Sequence, residues 1–284
     1  MLQRNGLTSP PNNVRRVWAR QQIARQALES VGTLLDKHGL RWLPAKGIVL
    51  ANSVYADPTH RDYLDVDILV SRGTFDRAAA LMQQRWAVHY LSRELGELLV
   101  EVNSFAVELH AEVGRRDLTG LTVAEFLDRS IVDVATFGFP VRRMDDVDHF
   151  ILIAANVVKD WFINDRPHHS EDLGRLLLVV SGREPEIVTR ARQGGFLTGL
   201  FNVARWLADD LGDRRAERLL ACIGAPRRRL QPAVARLCRK HPRMSTNFLV
   251  SSWTNDRVWL RLRSLERIAR RGAWHLLRSR LKQA

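Results

Sequence analysis

The first forty residues keep a helical period. Val14, Val17, Trp18, Ala24, Leu28, Val31 and Leu35 recur at helical spacing with arginines between them. That spacing predicts one amphipathic helix from a cap at Asn12 or Asn13 to Lys37, ended by Gly39. Leu40 to Leu43 is a short apolar stretch, and Pro44-Ala45-Lys46-Gly47 reads as a strand-to-helix turn. Ile48 to Tyr55 reads as a brief helix stopped at Asp57-Pro58, Leu64 to Val70 as a buried strand, and Gly73 to Arg85 as a helix. Three strand-like runs follow, Ala87 to Leu91, Glu97 to Val102 and Phe105 to Val113, with Asn103-Ser104 turning the last two into a hairpin. Past Thr122 the period is helical: Asp146–Phe162, Ser170–Val180, Pro185–Ala191, Leu197–Leu211, Arg214–Ile223 and Pro232–Arg239, then a basic amphipathic stretch from Trp253 to Lys282. The expected class is α+β. Residues 1–38 form an N-terminal helix packing on the core, 39–140 a small mixed β-sheet domain with flanking helices, and 141–284 a helical domain with a basic C-terminal region.

Composition narrows the class of protein. With 45% hydrophobic and 26% charged residues over 284 positions, the chain is not a disordered tract, a collagen-like fibre or a coiled-coil rod. No uncharged apolar run approaches the roughly 18 residues of a membrane span; Phe150 to Val158 is the longest candidate, so no transmembrane segment is expected. The N-terminus lacks an apolar secretory segment, and Cys222 and Cys238 are too few for a disulfide framework or a zinc site. A cytoplasmic protein is the expectation. Charge is unevenly spread: residues 205–284 hold 20 Lys or Arg against 6 Asp or Glu, whereas residues 1–204 hold 24 against 25. Arginines 227–229, 236, 239, 243, 257, 261, 263, 267, 270, 271, 278 and 280 carry most of that excess, and Trp253, Trp259, Leu260 and Trp274 accompany it. Such a surface suits RNA, for example a tRNA end. It equally suits an anionic membrane on which the protein would be peripheral, or it is a solvated arginine face with no partner.

Chemistry concentrates in Arg61-Asp62-Tyr63-Leu64-Asp65-Val66-Asp67-Ile68-Leu69-Val70. Along a strand side chains alternate, so Asp65 and Asp67 share a face with backbones roughly 7 Å apart, while Val66, Ile68 and Val70 enter a core. Two carboxylates on a buried strand repel and lose solvation, so they call for cations. An edge strand with these aspartates solvated or paired to Arg61 has the same pattern. Oxygen ligands suit Mg²⁺, and converging carboxylates can hold a metal pair. In Phe105 to Val113, alternation puts Glu108, His110 and Glu112 on one face. Glu108 is the expected third metal-facing carboxylate, Glu101 and Glu112 being alternatives, and His110 is expected as a hydrogen-bonded structural histidine. Lys46-Gly47 at its turn offers a point charge and close backbone approach to a phosphate.

Together, Lys46-Gly47-Ile48-Val49-Leu50-Ala51, Tyr55-Ala56-Asp57-Pro58, Arg61, Asp65-Val66-Asp67-Ile68-Leu69-Val70 and Val107-Glu108-Leu109-His110 resemble the uncharacterised nucleotidyltransferase group of the DNA polymerase β superfamily, over roughly residues 38–180. Lys46-Gly47 stands where that superfamily has Gly-Gly or Gly-Ser, the gap to Asp65 is longer than in most members, and Glu108 replaces an aspartate. The resemblance implies transfer of a nucleoside monophosphate from an NTP, ATP among the candidates, to an acceptor hydroxyl with pyrophosphate released. Asp65, Asp67 and Glu108 would hold two Mg²⁺ ions, and Lys46, Gly47 and Arg61 would bind the nucleotide. Asn156-Val157-Val158-Lys159-Asp160-Trp161 and Ser170-Glu171-Asp172-Leu173 resemble later motifs of toxin-like members and add Lys159 and Asp172 to the nucleotide-binding set. Lys159 and Asp172 pairing across two helices is the plain structural alternative. His168-His169 reads as a proline-flanked surface loop. The rival reading of the whole chain is a non-catalytic module on the same fold that binds nucleic acid or an anionic membrane.

Overall fold

The computed structural model describes residues 11–114, 118–160, 168–224 and 256. They fall into two units, one within residues 1–111 and 126–144, the other within 112–125 and 145–284. The fold is α+β, a mixed five-stranded sheet with helices and then a mostly helical region.

The first unit runs α1 (Pro11–Lys37), β1 (Trp42–Ala45), α2 (Gly47–Ser53), β2 (Asp65–Val70), α3 (Phe75–Gln83), β3 (Ala87–Ser92), β4 (Glu97–Val102) and β5 (Phe105–His110). The strand order is β1-β2-β5-β4-β3, with β2 and β5 parallel and the other pairs antiparallel. Val66, Ile68, Val70, Val107 and Leu109 share one core with Leu28, Val31 and Leu35 of α1 and with Phe75, Ala78 and Met82 of α3. The opposite face of β2 and β5 is therefore free to carry polar groups. Trp18, placed on the inner face by the period, is exposed: one step past buried Val17 carries it about 100° around the helix. Asn103 and Ser104 do turn the β4–β5 hairpin, both with positive φ, as a two-residue loop matched to strand twist requires. The strand expected to reach Val113 stops at His110, so Glu112 leaves the sheet.

The segment after β5 first joins the second unit. Gly120 N–H donates to the Gly194 carbonyl at 2.7 Å, and a β-carbon at Gly194 would meet Thr119 Oγ1 at 2.6 Å. The chain then passes through α4 (Val123–Arg129) and returns to the first unit as a two-stranded ribbon, β6 (Ile131–Asp133) with β7 (Val141–Arg143). Three-residue strands carry too little periodicity to stand out in the sequence.

The second unit holds α5 (Asp146–Asp160), α6 (His168–Val179), α7 (Glu184–Gln193), α8 (Leu197–Arg205) and α9 (Arg214–Ile223). Every residue from Phe150 to Ala155 is buried; a helix apolar all round is a core helix here. The helix expected over Leu197–Leu211 gives way after Arg205 to a π-helical turn, Trp206–Asp210. His168 and His169 are not a surface loop: they open α6, and His169 is buried. The helix expected at Pro232–Arg239 and, Asp256 apart, the basic stretch Trp253–Lys282 lie outside the described residues. No described helix is long and apolar enough to cross a membrane.

Candidate metal centre

Register brings the polar residues of three strands into one row. Ala45 of β1 pairs with Asp67 of β2, and Asp67 with Glu108 of β5. His110 lies two residues beyond Glu108 on the same face, and Asp65 two residues before Asp67. Lys46 follows Ala45 directly, so the row ends with a lysine at the β1–α2 junction.

The local backbone explains why that lysine points inward. Lys46 has φ 54° and ψ −130°, a conformation that L side chains seldom adopt, and its carbonyl accepts from Leu50 N–H at 2.9 Å. Gly47 is set by packing: a β-carbon there would lie 2.7 Å from Tyr63 Cβ. The loop that carries Tyr63 into β2 is held by α1, where Arg20 binds the Asp62 carboxylate at 2.9 Å and Gln21 Nε2 donates to the Pro58 carbonyl at 2.7 Å. Arg61 directs its guanidinium to the Asp62 carbonyl.

At the centre, Lys46 Nζ is bound to Asp67 Oδ1. His110 Nε2 reaches the same oxygen at 2.9 Å and Glu108 Oε2 at 3.1 Å. Both partners of this nitrogen are carboxylate oxygens, so Nε2 carries the proton. Asp67 is almost wholly buried, its side chain 4% exposed against 35% for Glu108. Ligand atoms of Asp67, Glu108 and His110 lie within 4.8 Å of one another.

Asp65 and Asp67 share a face yet differ in charge behaviour. Burial by itself would push the Asp67 carboxyl up, but the Lys46 charge and the His110 hydrogen bond outweigh it and hold the group well below the usual range. Asp65 forms no ion pair among the described residues. Burial first, then the charges of Asp67 and Glu108, push it up to about 6. His110 lowers Glu108 through their hydrogen bond. Burial opposes the charge on Lys46, yet Asp67 wins and raises it.

This donor set fits a divalent cation. Three carboxylates face one lysine and one histidine, so by formal count negative charge exceeds positive in the row. Carboxylate oxygens are ligands for hard divalent ions.

The alternatives for the third carboxylate lie elsewhere. Glu101 is exposed on β4 with its carboxylate 3.4 Å from His89 Nε2, and Glu112 is past the end of β5. Lys159, half-buried in the last turn of α5, and Asp172, buried in α6, belong to the second unit. Sequence alternation put His110 on the correct face but could not show that it bridges two carboxylates. Lys46 was expected at a phosphate, and its contact with Asp67 has no sequence signal, because it depends on β1–β2 pairing across 21 residues.

A family model described as uncharacterised nucleotidyltransferase matches residues 9–212. A comparison with curated proteins returns no match.

Proposed function

The chain belongs to this family of uncharacterised nucleotidyltransferases, and from that premise we propose that it is an Mg²⁺-dependent enzyme moving a nucleoside monophosphate from an NTP to an acceptor hydroxyl. The single observation behind the metal assignment is the register row: Asp67 and Glu108 paired across β2 and β5, with Asp65 on the same face. Asp65, Asp67 and Glu108 would hold the ion or ion pair, with His110 orienting Asp67 and Glu108 through its shared proton. A bound divalent ion offsets charge on the triphosphate and on the attacking oxygen. Lys46, at the rim of the row, and Arg61 bring positive charge for the triphosphate, while Gly47 sets the turn that aims Lys46. Lys159 and Asp172, expected at the nucleotide from the sequence, lie in the helical unit.

The acceptor is an RNA end or a small molecule in this reading. The surplus of basic residues beyond position 204 favours a polyanion such as a tRNA end or another RNA. Binding that weakens steeply with salt supports RNA, and binding only to vesicles of anionic lipid favours a membrane-linked acceptor instead.

The direct test incubates purified protein with each α-labelled NTP, Mg²⁺ and a cell extract, then separates labelled RNA, protein and small molecules. Label should enter one of these classes, and Asp67→Asn should abolish its transfer with the circular dichroism spectrum unchanged. Wild-type turnover by Asp67→Asn ends the proposal.

A further inference from the structure

Lys46 lies where a nucleotide-binding lysine is not free to bind a nucleotide. Its ammonium is bound to Asp67 Oδ1, the most buried oxygen donor of the row, and the same oxygen takes the His110 hydrogen bond. The contact is built into the backbone. Lys46 sits at positive φ between Ala45, which is register-locked to Asp67, and Gly47, which is locked against Tyr63. A non-glycine residue persists at such a φ only where its surroundings over-determine it.

A divalent ion entering this row meets an oxygen already holding an ammonium and an imidazole N–H. Ion and ammonium on one carboxylate repel each other in a poorly solvated site. Driving the ammonium away leaves a half-buried lysine without its anion, its side chain only 23% exposed. Metal by itself therefore binds against resistance. A triphosphate changes the balance by offering the displaced ammonium a new anion. We propose that Lys46 is an exchangeable counter-ion, moving from Asp67 to the triphosphate, and that it thereby couples metal binding to nucleotide binding. The inference rests on the nucleotidyltransferase reading of this row and adds to it an order: the metal site is complete only when nucleotide has drawn Lys46 off. Coupling between two ligands is reciprocal, so each should strengthen the other.

The test uses Mn²⁺ alone as the metal probe, titrated by electron paramagnetic resonance, and the α,β-methylene analogue of ATP as the nucleotide probe at saturating Mn²⁺. Lys46→Met should bind Mn²⁺ about tenfold more tightly than wild type and the analogue about tenfold more weakly. These opposite signs separate exchange from a structural role, because a lysine that only stabilises the row weakens both ligands when removed. Lys46→Gly, whose backbone tolerates the positive φ, carries the same expectation should the methionine variant fold poorly. Mn²⁺ affinity unchanged or reduced in both variants overturns the proposal, as does a tighter metal with unaltered analogue binding. Wild type and both variants failing to bind Mn²⁺ at all overturns instead the metal reading beneath it.

Discussion

Both units bury carboxylates, and they neutralise them differently. In the helical unit, fully buried Asp148 meets Arg190 at 2.8 Å, and Asp145 receives both of its oxygens' hydrogen bonds from Arg183 at 3.0 and 3.1 Å. In the sheet unit, Asp65, Asp67 and Glu108 share Lys46 and His110, and those two donors converge on one oxygen. A matched pair holds helices together and leaves nothing to bind. A row with surplus negative charge costs stability in the free protein and recovers it when a cation arrives. On the metal reading proposed above, the contrast is between a structural ion pair and a binding site.

The comparison can be broken at either end. The largest stability effect is expected in the helical unit: Arg190→Ala removes the 2.8 Å ion-pair partner of fully buried Asp148, which should cost about 3–5 kcal/mol in denaturant unfolding. Replacing both by leucine should recover much of that loss. A small effect for Arg190→Ala alone would mean that Asp148 is neutralised some other way. In the sheet unit the sign reverses on the metal reading, because there a cation would supply the missing partner. Mg²⁺ at about a hundred times its dissociation constant should add about 2.7 kcal/mol to wild-type stability, and Asp67→Asn should abolish that gain. Equal stabilisation of both proteins would place the ion elsewhere.

The smallest effect sharpens the structural side. Asp213 caps α9 by accepting from Arg215 N–H at 3.0 Å, and the Arg215 side-chain hydrogen bond holds its carboxyl below the usual value. A carboxyl lowered in the folded state contributes stability that is full above its unfolded value and is lost as pH falls through the folded one. Asp213→Ala should therefore cost about 1 kcal/mol at neutral pH and progressively less in acid, below the ordinary aspartate range. A difference that stays constant into acid would rule out the charge on Asp213 as its source.

Much of this was legible before any coordinates. Alternation in Asp65–Val70 put both aspartates on the face opposite Val66, Ile68 and Val70, and alternation in β5 added Glu108 and His110. The helical period located α1, α5, α6, α7 and α9 to within a few residues and the start of α8, though not the π-helical turn that ends it. The pattern failed where elements were short, as in β6 and β7, and where a proline beside His168 suggested a loop at the start of α6.

Local sequence determined the two faces of each strand, because side-chain alternation follows from backbone geometry alone. It determined a supply of carboxylates and one lysine near a turn. Only the tertiary structure decided which strands became neighbours, and therefore that Asp67 would be claimed by Lys46 and His110 while Asp65 was left with burial and like charge. Charge coupling falls off with distance through space, not along the chain, so two aspartates two residues apart became opposites in behaviour.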